Sequence, residues 1–183
     1  MNELSTSELG DLRSALLQLQ QHVAGEPHAP DLIELAEKLL GRAVCRQLGI
    51  YRLPKGFLLT VVMPVFNEAR TIEEVIRRVL ASGVPCELIV VDDASNDGTT
   101  EILRRLREEL DLTLVEQQIN QGKGAALKAG FARAGGNIVL VQDADLEYDP
   151  SEYLKLIQPI VEGQADVVFG SRFAGDSHRV LYF

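Results

Sequence analysis

Positive charge and cysteine are both scarce in this sequence. Lys and Arg number 18 against 27 Asp and Glu, leaving a formal net charge of -9 at pH 7. A phosphate backbone is held by clustered Lys and Arg, so this balance excludes a nucleic-acid partner. Cys45 and Cys86 lie far apart and have no metal-ligand spacing. That excludes a disulfide framework and predicts reduced thiols in a cytoplasmic protein. No apolar run approaches the roughly 20 residues needed to span a bilayer. Met1 to Gly10 carries Glu3 and Glu8 where a secretory signal places basic residues, so a soluble chain is expected. Internal repeats and low-complexity tracts are absent as well. What remains is 46% hydrophobic and 25% charged, the composition of one globular domain with a real core, plus an appendage.

The appendage is residues 1–55. Leu9, Leu12, Leu16, Leu19 and Val23 recur at helical spacing up to Gly25-Glu26-Pro27. A second helix is predicted from Asp31, where Asp31 and Glu34 have capping-box spacing and Leu32, Leu35, Leu39 and Ala43 continue an apolar stripe to Gly49. Each stripe needs a partner. Packing of the two helices on each other or on the main domain meets that need; oligomerisation through them and membrane-surface association are the alternatives.

Residues 56–183 change texture to short β-rich runs alternating with helical patterns, which predicts βαβ units and a mostly parallel, Rossmann-like sheet flanked by helices. The strand candidates are Leu59 to Val65, Leu88 to Val91, Leu112 to Val115, Ile138 to Val141 and Val167 to Phe169. Crossover helices are predicted over Thr71 to Ala81, Asp97 to Leu110, Gly124 to Ala134 and Pro150 to Glu162. Thr71 and Glu74 form a capping-box pair, Asp97 has the place of an N-cap, and Asp149 precedes a first-turn Pro150.

In such a sheet the ligand crevice lies beyond the carboxyl ends of the strands, at the switch in strand order. Three polar, acid-bearing segments fall there: Pro64-Val65-Phe66-Asn67-Glu68, Asp92 to Gly98, and Asp143-Ala144-Asp145. Capping and turn chemistry account for Asp97, Asn96 and Gly98 but do not require paired carboxylates after two different strands. Such a cluster repels itself unless a cation or a donor-rich ligand neutralises it. Asp143 and Asp145 emerge at a strand end, a place for Mg²⁺ or Mn²⁺ whose shell is completed by substrate phosphates. Asn120-Gln121-Gly122-Lys123-Gly124 opens a helix, so N–H groups, the helix dipole and Lys123 favour an anion. The spacing is not that of a Walker A loop, which disfavours an NTPase. Phe66 to Arg70 stands where a sugar nucleotidyltransferase would carry a Gly-rich basic loop.

Five ordered segments carry a resemblance. Val61 to Glu68, Val90 to Thr99, Asn120 to Gly124, Gln142 to Leu146 and Gly170 to Phe173 together resemble the family 2 glycosyltransferases of GT-A fold, especially the dolichol- and polyprenyl-phosphate mannose or glucose synthases. The resemblance implies a metal-dependent inverting enzyme that moves a hexose from a GDP- or UDP-linked sugar to a polyprenyl phosphate at the cytoplasmic membrane face. It implies that Pro64, Phe66 and Glu68 cradle base and ribose, that Asp93 hydrogen-bonds the base, and that Asp143 lies near ribose or diphosphate. Asp145 would be the principal metal ligand, with Glu147 a further one where relatives often carry Gln. Arg172, with Ser171, would face a phosphate; the alternative is a simple pair between Arg172 and Asp176. Relatives continue with acceptor-side structure, so the domain is expected to be incomplete after Phe183. Two other functions remain open at this point: a non-catalytic nucleotide-binding module, and a glycosyltransferase acting on a saccharide hydroxyl.

Overall fold

The computed structural model describes residues 30–170. Helices α1 (Pro30–Leu40) and α2 (Arg42–Gln47) precede β1 (Leu59–Val65), α3 (Ile72–Leu80), β2 (Cys86–Asp92) and α4 (Thr99–Glu109). Then come β3 (Thr113–Glu116), α5 (Lys123–Phe131), β4 (Ile138–Val141), a 3-10 turn (Pro150–Glu152) and α6 (Tyr153–Val161). All three strand pairings are parallel and the order is β3-β2-β1-β4. The chain steps outward from β1 to β3 and then returns to the far side of β1, so the switch point lies between β1 and β4. Val62 pairs with Val141, which leaves Met63 to Val65 of β1 running past the end of β4.

β1 is buried along nearly its whole length, because helices cover both faces of a parallel sheet. Its odd-numbered residues Val61, Met63 and Val65 join Leu88 and Val90 of β2 in the main core, with Ile72, Ile76 and Val79 of α3, Leu103 and Leu106 of α4, and Ile157 of α6. Ile89 and Val91 point to the other face, against Ala126 of α5. α5 can lie close because its contact residues are small: a Cβ on Gly130 would sit 2.3 Å from Val62 Cγ1. Tyr51 and Phe57 also enter the main core, and Tyr51 donates its hydroxyl to the Leu154 carbonyl at 2.6 Å, tying the segment after α2 to α6.

Several expectations are corrected. Val167 to Phe169 forms no strand; Val167 and Phe169 are 65% and 88% exposed, because no edge of the sheet pairs with them among the described residues. The stripe through Leu39 and Ala43 has the wrong phase: Leu39 is 73% exposed and Ala43 is exposed, while Ile33, Ala36 and Cys45 are buried. α1 already begins at Pro30, so Asp31 lies inside its first turn, and Gly41, at φ 77, interrupts the run between α1 and α2. The box between Thr71 and Glu74 does not close. Thr71 Oγ1 instead donates to Glu68 Oε2 at 2.9 Å, and Glu74 pairs with Arg78. Asp149 does cap, accepting from Ser151 N at 2.9 Å. The first predicted helix, Leu9 to Val23, lies outside the described residues.

Candidate functional site

A cavity of about 240 Å³ opens at the carboxyl ends of β1 and β4, lined by Pro64, Val65, Phe66, Glu68, Asp93, Lys123, Asp143, Ala144 and Asp145. Four of these carry carboxylates and one an ammonium. Every donor-site residue inferred from sequence and lying within the described residues is thus in one place: Pro64, Phe66, Glu68, Asp93, Lys123 and Asp143, with Asp145 beside them. Glu147 does not line the cavity; its backbone N–H donates to Asp145 Oδ1 at 3.0 Å. Arg172, Ser171 and Asp176 lie outside the described residues.

The loops after β1 and β2 are stitched together. Asn67 N donates to Ser95 Oγ at 3.0 Å, Asn96 N to Asn67 Oδ1 at 2.9 Å, and Glu68 N to Thr99 Oγ1 at 2.9 Å. Asn67 sits at φ 59 and Ala94 at φ 60, both in the left-handed region. Asn tolerates that region through local side-chain hydrogen bonds, whereas Ala there carries strain that its surroundings must hold. Asp92 is buried and saturated: Oδ1 accepts from Ser95 N at 3.1 Å and Ser95 Oγ at 2.6 Å, and Oδ2 from Thr100 Oγ1 at 2.5 Å. Asp97 accepts from Thr99 Oγ1 at 2.5 Å, Thr99 N at 3.1 Å and Ala69 N at 3.2 Å. The Thr99 hydroxyl is the main reason its carboxyl is held below the usual aspartate range. The N-cap position of α4 is taken by Gly98, at φ 98.

On the β4 side, Gln142 is 1% exposed and held at both ends of its amide. Tyr153 donates its hydroxyl to Oε1 at 2.7 Å, and Nε2 donates to the Asp143 carbonyl at 3.0 Å. Burial pushes the Tyr153 phenol well above its ordinary value, so it remains a donor. Lys123 Nζ meets Asp143 Oδ1 at 2.5 Å. The supporting roles of Asn67, Ser95, Thr99, Gln142 and Tyr153 are missed by sequence reasoning. For Asn67 a signal exists, an Asn within the polar segment that follows β1, but Tyr153 reads only as an apolar helix position.

Among the described residues no group of three or more His, Cys, Asp or Glu side chains converges on a metal site. The donor set at Asp143 and Asp145 is nonetheless hard oxygen flanking a buried Ala144, and Mg²⁺ or Mn²⁺ is commonly held by one or two carboxylates with phosphate and water completing the shell. The residues present fit such an ion as a partial shell.

Residues 60–183 match the family model described as Glycosyl transferase family 2. A dolichol-phosphate mannosyltransferase from Pyrococcus furiosus is 34% identical over 116 residues, covering 62% of this chain and 33% of that protein. A dodecaprenyl-phosphate galacturonate synthase from Rhizobium johnstonii is 36% identical over 120 residues, covering 62% of this chain and 36% of the other. The chain therefore spans about a third of the length of these curated relatives. Among solved structures, a mannosyltransferase from Pyrobaculum calidifontis in complex with GDP-Man and Mn²⁺ aligns over 80% of this chain and 42% of its own, at 30% identity and a TM-score of 0.50. The parallel sheet and this structural neighbour agree on a GT-A fold.

Proposed function

The chain belongs to glycosyl transferase family 2, and on that premise we propose that its cavity holds a nucleotide-diphosphate sugar whose hexose is passed to a polyprenyl phosphate. The observation that carries the reading is the convergence of Pro64, Phe66, Glu68, Asp93, Lys123, Asp143 and Asp145 on one cavity at the switch point. Phe66 is 46% exposed and offers a face to a base. Pro64 and Glu68 flank it, and Lys123 opens α5, where an ammonium and helix N–H groups favour a diphosphate. The relatives named above act on dolichol- and dodecaprenyl-linked phosphates, which supports a lipid phosphate as acceptor.

Asp145 and Asp143 would hold a divalent cation, with Glu147 as a further candidate ligand; when bound, the ion supplies charge neutralisation at the leaving diphosphate. A lipid phosphate is already anionic at neutral pH, so its oxygen attacks the anomeric carbon without a general base as the bond to the nucleotide breaks, inverting the centre. Arg172 is assigned to a donor or acceptor phosphate, a role suited to a guanidinium fork. No helix among the described residues is long and apolar enough to cross a membrane. Work at the cytoplasmic face of the membrane would bring the protein to a lipid substrate.

The test is a thermal-shift panel of GDP-mannose and UDP-glucose with Mn²⁺, Mg²⁺ or chelator. A ligand at a hundredfold over its Kd adds about 2.7 kcal/mol, or roughly 5–10 °C for a domain of this size. Asp145→Ala is expected to abolish the metal-dependent part of the shift. A mutant that responds like the parent removes Asp145 from the metal site.

A further inference from the structure

We propose that Asp93 is a positioning residue for Lys123, holding the loop that carries this cation into the cavity. Asp93 is 3% exposed, and both oxygens of its carboxylate accept from main chain. Gln121 N donates to Oδ1 at 2.8 Å and Gly122 N to Oδ2 at 2.7 Å. Asp93 is itself fixed, since its own N–H donates to the Val65 carbonyl at 2.9 Å, continuing the ladder between β1 and β2. Gly122, at φ 86, is the N-cap of α5, and Lys123 is the first residue of that helix. From there the ammonium reaches Asp143 Oδ1 across the cavity. A rigid path thus runs from the sheet through Asp93 and two N–H groups to the ammonium and the acid after β4.

This geometry gives Asp93 a task that does not depend on the identity of the base. Two charge-assisted hydrogen bonds to consecutive N–H groups fix both the direction of the loop and the start of α5. The inference rests on the donor reading of the cavity, in which Lys123 faces the diphosphate common to all nucleotide sugars. A residue that reads the base affects one nucleotide more than another; a residue that sets the ammonium affects all alike.

Asp93→Asn is nearly isosteric but turns an NH₂ donor toward one of the two N–H groups, so one of them loses its acceptor. In the protein without ligand, hydrogen exchange at the amides of Gln121 and Gly122 is expected to rise about tenfold. In binding assays, affinity for GDP-mannose and for UDP-glucose is expected to fall by the same factor, about tenfold, and Asp93→Asn is expected to add little once Lys123→Met is present. Lys123→Met alone lowers affinity while leaving exchange at Gln121 and Gly122 unchanged, which separates a lost cation from a loosened fold. Unchanged exchange in Asp93→Asn overturns the proposal. So does a loss of affinity confined to one base, or a full loss that persists on top of Lys123→Met. If the parent protein binds neither nucleotide sugar, the donor reading fails, and the exchange measurement still decides whether Asp93 holds the loop.

Discussion

Glu87 lies near the start of β2, at the opposite end of the sheet from the cavity, and joins β1 and β2 to the turn that leads into β4. Its Oε1 accepts from Thr60 Oγ1 of β1 at 2.5 Å, Gly135 N at 2.6 Å and Gly136 N at 3.0 Å, so one oxygen joins β1, β2 and the turn that leads into β4. Next to it, Asn137 N donates to the Leu58 carbonyl at 2.8 Å and Asn137 Oδ1 accepts from Leu58 N at 2.9 Å. Glu87→Ala leaves Gly135 N–H to water, whereas Gly136 N–H keeps Thr60 Oγ1 at 2.9 Å. Thr60, 0% exposed, loses the acceptor of its hydroxyl as well, so the loss is that of about two charge-assisted hydrogen bonds, one of them buried, about 3 kcal/mol. Glu87→Gln keeps an acceptor and loses only the charge, about 1 kcal/mol. In urea these correspond to midpoints lowered by about 1.5 M and about 0.5 M. The pH dependence supplies the sharper check. The Thr60 hydroxyl first, then the Gly135 and Gly136 N–H groups, hold the Glu87 carboxyl below its ordinary value of 4.5 against the opposing effect of burial. A lowered folded-state value means that the contribution is full above 4.5 and is lost as pH falls through the folded value. The gap between parent and Glu87→Gln is expected to be complete at neutral pH and to close in acid. A gap of the same size well below 4.5 would show that the carboxylate charge is not its source.

Gly130→Ala places a Cβ 2.3 Å from Val62 Cγ1, on a β1 residue that is 0% exposed, so overpacking of about 1–3 kcal/mol outweighs the gain of up to about 1 kcal/mol in helix propensity. A urea midpoint equal to or above that of the parent would refute the packing argument. Tyr153→Phe strips Gln142 Oε1 of its donor in a buried setting and is expected to cost about 1–3 kcal/mol in the same assay. A variant with the parent's stability would mean that the Gln142 amide finds another donor.

The parallel sheet was legible because strand runs and capped helices alternate with little ambiguity, and three acidic segments after strands point to one edge. Errors cluster where a local pattern competes with tertiary context. Val167 to Phe169 has the composition of a strand, but a strand exists only through its ladder, and the sequence does not say which edge is available. Leu39 and Ala43 fit a helical period as well as Ile33 and Ala36 do; the break at Gly41 resets the phase, and only packing decides which stripe is buried. Thr71 and Glu74 have capping-box spacing, but Glu68 competes successfully for the Thr71 hydroxyl. The cavity residues were legible as a set. Their individual tasks were not, because a carboxylate's role depends on how many donors the fold turns toward it.

That donor count divides the acids that follow β2 and β4 into two kinds. Asp92, Asp93 and Asp97, all following or ending β2, each have both oxygens engaged by backbone or hydroxyl donors of the neighbouring loops. Asp143 and Asp145, after β4, each accept at one oxygen from a donor among the described residues, the Lys123 ammonium and Glu147 N. A carboxylate saturated by donors is held in place and has less capacity for a cation, whereas one that lines a cavity with fewer donors retains more of that capacity. Asp92 and Asp97 therefore brace the loops behind the cavity, whereas Asp93, Asp143 and Asp145 line it. The two kinds also follow strands on opposite sides of β1, so strand order separates them across the sheet. On this division, removing Asp92 or Asp97 acts first on the folded loop, and removing Asp145 acts first on metal-dependent binding.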